Sequence, residues 1–385
     1  MLDELLKDAQ HQLEVCNACR YCEGYCAVFP ALERRTSFDR DAVAYIANLC
    51  HDCRDCYYAC PYAPPHEFGI DIPRVLSDVR VATYTEATPV SALRAAGNVA
   101  RQDLGLTILG GLLVLVVTLL VSGSAMFAPQ SGPGAFYRVI PWALMVVPGL
   151  LLGLWVAVSL AIGGLRFYRA TGATPEKWVD VRAIVGATWE ALTLRWLGGG
   201  GDGCRYPTSR VSNARVYLHT LVFGGFALTF LSTIIAAFEQ DILDRLPPYP
   251  IVSAPVITGS VGGLAMIVGC GGLLVLKAKA DRRTGSEEMR GLDVAFLVNL
   301  GLASLTGMLL LAFRDTSVMG ILLVSHFATL ATLYITAPYT KFAHFVYRYA
   351  ALVRNRIETH REQVEPETAA HGDIGPGERS ASARV

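Results

Sequence analysis

Charge is scarce in this chain. Of its 385 residues, 17% are Asp, Glu, Lys or Arg, where a soluble globular chain carries about 25%. Thirty-three basic side chains balance thirty-three acidic ones, so no field of one sign draws the chain to nucleic acid. A leader pattern is also lacking. Residues 1–14 (MLDELLKDAQHQLE) are amphipathic and acidic, without the basic end and the about 7–15 apolar residues of a signal peptide. The head is therefore expected to stay in the cytoplasm. No G-x-G-x-x-G follows a strand pattern, and the GGGGDG run at 198–203 has no Lys-Ser/Thr after it. That run reads as a flexible linker rather than a phosphate loop. No Ser-His-Asp set or pair of acid/base carboxylates stands out, so no catalytic residue is assigned. Outside residues 16–60, cysteine is limited to Cys204 and Cys270, each read as a small apolar residue.

What the chain has in abundance is apolar sequence. Six runs, near 104–123, 139–165, 216–238, 255–276, 292–313 and 318–346, are each long enough for a hydrocarbon core of about 30 Å. The connection 166–215 carries Arg166, Arg169, Lys177, Arg182, Arg195, Arg205, Arg210 and Arg215, and 277–290 carries Lys277, Lys279, Arg282, Arg283 and Arg290. The other connections have almost no basic residue. The expected topology is a multi-pass protein of the bacterial inner (cytoplasmic) membrane, with both termini and both basic loops on the cytoplasmic side. The fold class expected is all-α, with three parts: a cytoplasmic head at 1–101, a six-helix transmembrane bundle at 102–347, and a disordered cytoplasmic tail at 348–385. Residues 176–197 read as a helix lying in the interface, with Trp178, Trp189 and Trp196 at headgroup level. The alternative is a docking platform for a partner.

Cysteine is concentrated in the head. Cys16, Cys19, Cys22 and Cys26 are spaced C-x2-C-x2-C-x3-C; Cys50, Cys53, Cys56 and Cys60 repeat the spacing, and Pro61 follows. In the cytoplasm such a density points to metal rather than disulfides. In a bacterial ferredoxin run, three close thiolates hold one cube and the fourth ligates the other cluster. The spacing therefore assigns Cys16, Cys19, Cys22 and Cys60 to cluster A, and Cys50, Cys53, Cys56 and Cys26 to cluster B, both [4Fe-4S]. Tetrahedral zinc also uses C-x2-C pairs, but does not call for two runs of four in this rhythm. The linking segment 38–49 (FDRDAVAYIANL) has apolar residues at helical spacing, which suits a helical ferredoxin.

Histidine carries the second signal. His219, His326 and His344 fall within apolar runs. Two imidazoles facing each other across a bundle can hold a haem iron from both sides. Taken as one helix, 318–346 puts His326 and His344 on one face about 27 Å apart. His219 follows the basic loop closely, so it is expected at the depth of His344. That pair is the expected axial set of one haem b. A second haem through His326, with Met126, Met319 or another ligand, is the alternative to His326 as a satisfied polar residue.

Two segments, LCHDCRDCYYACPYAPPHEFGIDIPRVLSDVR at 49–80 and ITAPYTKFAHFVYR at 335–348, resemble the tricarballylate-utilisation protein B family, also called citrate-utilisation protein B. The likeness covers nearly the whole chain. The second segment is also similar to the haem-binding helix of nitrate reductase gamma-type membrane subunits. That likeness implies His326 and His344 as ligands on one helix and His219 on its partner, which here has one histidine where the pattern has two. The family resemblance implies a membrane electron-transfer protein that reoxidises an FAD-dependent dehydrogenase of the tricarballylate type and passes electrons to quinone. Tyr339, Lys341 and 207–215 are the quinone-site candidates, while Lys341 could equally snorkel to lipid phosphate. Two other readings stay open: a membrane subunit of another cytoplasmic oxidoreductase, such as a cobalamin-biosynthesis oxygenase, and an iron–sulfur redox sensor on a membrane anchor.

Overall fold

The computed structural model describes residues 2–89, 99–172 and 180–372. There is no strand among the described residues. The head holds α1 (Leu2–Cys19), α2 (Val28–Glu33), α3 (Arg40–Leu49), α4 (Asp55–Tyr58) and α5 (Ile72–Ala87). The expected 38–49 helix starts at Arg40 because Asp39 takes the N-cap, its carboxylate accepting the Ala42 N–H at 2.8 Å. Asp71 caps α5 in the same way through the Arg74 N–H at 3.1 Å. Burial raises the Asp71 carboxyl to about 6, and the Arg74 N–H and guanidinium oppose that rise. Leu13, Phe29, Leu32, Ile46, Leu49, Leu76 and Val79 bury the apolar faces of these helices against one another.

The remaining elements are α6 (Val99–Ser122), α7 (Ala135–Val139), α8 (Trp142–Ala170), α9 (Val181–Leu192), α10 (Ala214–Asp241), α11 (Ala254–Lys279), α12 (Glu287–Ala312), α13 (Met319–Thr336) and α14 (His344–Gly372). Five helices are long and apolar enough to cross a membrane: α8, α10, α11, α12, and α13 taken with its following turn to Tyr339. The expected span at 104–123 lies on α6, whose described apolar stretch is the shorter Leu112–Phe127. Leu120, Leu150, Leu154, Phe230 and Val268 point outward, which suits lipid and not water. This is a membrane protein. Between α10 and α11 the helices touch at glycine. A Cβ on Gly225 would stand 2.7 Å from the Gly262 carbonyl, so the missing side chains set the approach, as is common where lipid removes the hydrophobic drive between helices.

Three expectations are corrected. The run 318–346 is not one helix. α13 ends at Thr336, and two 3-10 turns, Ala337–Tyr339 and Lys341–Ala343, intervene before His344 opens α14. Pro338 lacks an N–H and its ring clashes with the preceding turn, so His326 and His344 do not share a helix face.

The segment 348–385 is not a disordered tail as far as it is described. α14 continues to Gly372, burying Tyr347, Ala351, Leu352, Val353 and Ile357 in the core of the head. Its charges, which resemble a solvated tail, are spent on partners. Glu358 bonds Arg35 at 2.8 Å and Arg354 at 2.9 Å, and Glu362 bonds Arg34 at 2.7 Å. Residues 373–385 lie outside the described residues.

The interfacial helix is shorter than 176–197. α9 covers Val181–Leu192, Trp178 lies outside the described residues, and Trp196 packs toward the head core. Val181, Val185, Trp189 and Leu192 form an exposed apolar stripe at helical spacing.

Head and membrane helices share one core. Tyr84 of α5 stacks on Tyr347 of α14 with ring centres 5.1 Å apart, and Phe167 of α8 meets Tyr347 edge-on at 5.6 Å. The Arg35–Glu358 pair, which the Tyr45 hydroxyl joins by donating to Glu358, has side chains only 15% and 12% exposed. Glu358→Ala should therefore cost about 3 kcal/mol, the low end for breaking a buried pair, and Glu358→Gln should cost less. Thermal unfolding of the detergent-solubilised protein, followed by near-ultraviolet circular dichroism, checks the ranking.

Candidate metal centres

The eight head cysteines divide between two adjoining cavities. One is lined by Cys16, Cys19, Cys22 and Cys60, the other by Cys26, Cys50 and Cys53, and Cys56 lines both. α1 delivers Cys16 and Cys19 at its last turn, and α3 ends one residue before Cys50. Between cysteines the backbone reverses through left-handed residues, Arg20 (φ 53°), Asp52 (φ 55°) and Arg54 (φ 64°). Non-glycine residues in that region cost of order 1 kcal/mol each. The Asp52 and Tyr62 N–H groups point at the Cys50 and Cys60 sulfurs, each at 3.4 Å. Among the described residues no three of His, Cys, Asp or Glu converge to hold a single metal ion. Each cavity gathers at least four sulfur donors, a set that fits an iron–sulfur cube.

The electrostatics also favour a metal cluster. Burial first, and neighbouring cysteines second, push the Cys16, Cys22 and Cys26 thiols up to about 12. Cys53 and Cys56 are raised for the same reasons. Bare thiolates would repel one another here, and bound iron supplies the positive charge that lets all of them ionise. The two cavities differ in access. Cys19 is exposed while Cys26, Cys50 and Cys53 are buried, and exposed Tyr21 and Phe68 stand near the first.

The GGGGDG run is not a linker, contrary to expectation. It lies as a strap across both cysteine loops. A Cβ on Gly200 would collide with the Tyr25 carbonyl, so glycine is required by close approach. The Asp202 N–H and the Arg205 Nε–H donate to the two Asp55 oxygens at 3.1 and 2.9 Å, and the Arg205 N–H donates to the Cys53 carbonyl at 2.9 Å. Asp55 is 1% exposed, so its charge depends on these donors.

His219 on α10 and His344 at the start of α14 face each other, ring centres 6.3 Å apart and planes at 86°. Two imidazoles sharing one iron through metal–nitrogen bonds of about 2 Å stand with their centres roughly that far apart. The His344 Nδ1–H donates to the Lys341 carbonyl at 2.6 Å, which leaves Nε2 bare for a ligand. His219 Nδ1 is buried without a partner. These residues fit an axial pair. His326 is brought to no second histidine among the described residues; its Nδ1 meets the Ala303 carbonyl at 3.1 Å and Thr306 Oγ1 at 3.2 Å. Met126 and Met319 pack in a separate apolar cluster with Leu323 and Val324.

Of the quinone candidates, Lys341 does not snorkel. Its ammonium bonds Asp293 at 3.1 Å and Met289 Sδ at 3.2 Å, and Asp293 also pairs with Lys277. The stretch 207–215 meets the cysteine loops at its end, where Arg215 donates to the Asp52 carbonyl at 2.6 Å. Tyr339 is buried with its hydroxyl unpartnered. Cys204 is buried beside Cys53 and Tyr206, and Cys270 is buried on α11.

Sequence reading missed Asp55, Asp293, His51, Arg80 and Arg348. Their role is visible only across elements, with one exception. Arg215 and Arg348 each stand four residues from His219 and His344, a helix-face spacing that was legible.

Fold and cavities together define a helical membrane protein with a ferredoxin-like head of the iron–sulfur type. Residues 9–86 match the Citrate utilization protein B Fer4-like domain, and residues 96–365 match the Citrate utilization protein B family. A protein of Escherichia coli named Citrate utilization protein B is 38% identical over 368 residues, which cover 94% of each chain. No solved structure matches the chain. The chain belongs to the citrate utilization protein B family, and its Fer4-like head points to an iron–sulfur electron-transfer role.

Gly200→Val should push the strap off Tyr25 and leave Asp55 short of donors. The expected result is a tenfold or greater loss of iron affinity, roughly the scale of outer-sphere substitutions. Iron and acid-labile sulfide per chain after anaerobic purification measure it.

Proposed function

We propose that this chain is the membrane electron-transfer partner of a cytoplasmic FAD-dependent dehydrogenase of the tricarballylate type, delivering electrons to the quinone pool. Cys16, Cys19, Cys22 and Cys60 would hold one [4Fe-4S] cluster, Cys50, Cys53, Cys56 and Cys26 the other, and His219 with His344 a haem b. When bound, these groups exchange single electrons between a flavin hydroquinone, which gives up two electrons and two protons, and a quinone, which takes up two of each. The chain's own residues supply ligands, spacing and exclusion of water.

The observation that carries this reading is the join at Cys50. Arg348, one turn beyond His344, donates to the Cys50 carbonyl at 3.2 Å, and Arg215, one turn before His219, donates to the Asp52 carbonyl. The helices bearing both histidines are thus bonded directly to the loop of the buried cysteine set. A sensor on an inert anchor would need neither the histidine pair nor that bond. The exposed set, with Cys19, Tyr21 and Phe68 at the surface, is where a flavoprotein would dock.

Support for a cytoplasmic head in a bacterial inner membrane comes from the basic loops. Both pack on the head, through Arg205 to Cys53 and through Arg54, whose guanidinium donates to the Asp281 carbonyl at 2.8 Å. Head, α14 and basic loops therefore share the end that the positive-inside rule puts in the cytoplasm. The buried Tyr339 hydroxyl is a donor suited to a quinone oxygen.

His219→Ala and His344→Ala should each abolish b-type haem, while His326→Ala keeps it, in reduced-minus-oxidised spectra and pyridine-haemochrome counts. Loss of haem in none of the three would overturn the axial assignment.

A further inference from the structure

Between the buried cysteine set and the histidine pair lies a bay of cationic side chains short of counter-charge. Arg80, 6% exposed, donates to the Cys50 carbonyl at 2.7 Å and to Ser77 Oγ at 2.7 Å, and its Nε–H is unpartnered. Arg348 shares the same carbonyl, and Arg215 spends one N–H on the Asp52 carbonyl. None of the three has a carboxylate in ion-pair contact among the described residues. His51, 4% exposed, sits among them with both ring nitrogens unpartnered. Around them lie Arg54, Lys277 and Lys341, and the nearby carboxylates are Asp52, paired with Arg54, and Asp293, paired with both lysines.

Six cations thus face two carboxylates where charge is costly to bury. A cube with four thiolates carries a net charge of about −2 when oxidised, which accounts for part of the excess and leaves roughly two positive charges. Arg215 and Arg348 stand one turn, about 6 Å, from His219 and His344 on the side of the cysteine loops. Unpartnered donors in a low-dielectric pocket call for acceptors that bring their own charge.

We propose that this bay, built from Arg215, Arg348 and Arg80 with His51, binds a pair of carboxylates, namely the two propionates of the haem seated between His219 and His344. The assignment rests on the haem reading above. It orients the porphyrin with its carboxylate edge toward the cysteine loops, so that this edge lies on the side from which electrons arrive. Carboxylates held by guanidiniums are also kept ionised without a proton.

The test separates the bay from the haem itself. Protein made without haem synthesis is titrated with haem and with haem dimethyl ester, whose carboxylates are neutral. The wild type should take the free acid at least tenfold more tightly than the ester, and R215Q/R348Q should lose that preference. Potentiometric titration of haem-loaded Arg348→Gln and Arg215→Gln should show at least a tenfold shift toward the ferric form at fixed potential, which is 59 mV for a one-electron couple. Equal affinity of the wild type for acid and ester overturns the proposal without needing any variant to fold. So does an unchanged haem titration with a shifted cluster signal by electron paramagnetic resonance, which would assign the cations to the cluster alone. A wild type that binds neither porphyrin overturns the haem reading, and the proposal with it.

Discussion

The carbonyl of Cys50 accepts from two guanidiniums, Arg80 of α5 and Arg348 of α14, and much of the molecule is arranged around that acceptor. Arg80 belongs to the head and Arg348 to the helix that opens with His344. Their shared bond ties a cysteine loop to the membrane helices at one backbone atom. Tyr84 on Tyr347 and Phe167 against the same ring supply the apolar contact that keeps water from the join. Without that exclusion, the bonds at Cys50 would compete with solvent and be worth far less.

Placing so much positive charge at a dry seam has a cost, and the surrounding structure is organised to meet it. Asp293 holds Lys277 and Lys341 together. Tyr206 offers its ring face to Arg54 at 4.8 Å and to Arg215 at 5.0 Å, a favourable use of the ring quadrupole. On the other side of the cysteine loops the sign reverses: Asp55, buried beneath the glycine strap, takes its donors from Asp202 and Arg205. Arg54 and Asp55 both line the buried cavity, so it carries charge of both signs.

The legible features were those written in local spacing. Two C-x2-C-x2-C-x3-C runs, apolar runs of membrane length and a helical pattern over 38–49 all depend on neighbours in the chain; the cysteine runs line two cavities, five helices are long and apolar enough to cross a membrane, and α3 fills most of 38–49. Two failures have a common cause. Composition read 348–385 as a disordered tail and 198–203 as a flexible linker, because charged residues and glycines are common in both. In α14 the charges meet Arg34, Arg35 and Arg354, and in the strap the glycines exist to let Tyr25 approach. Pro338 was visible as a helix breaker, but a reading that favoured one long apolar run passed over it.

Sequence alone determined that the chain has a cysteine-dense head on apolar helices, since ligand spacing and hydropathy are properties of adjacent residues. It also determined which cysteines belong to each run and which histidines lie in apolar surroundings. Tertiary structure decided that the charged part of α14 packs against the head and that the glycine strap crosses the cysteine loops. It alone decided that Arg80, Arg215 and Arg348 converge near one loop. Those outcomes depend on how separate helices pack, and residues more than a hundred positions apart carry no local pattern that announces their meeting.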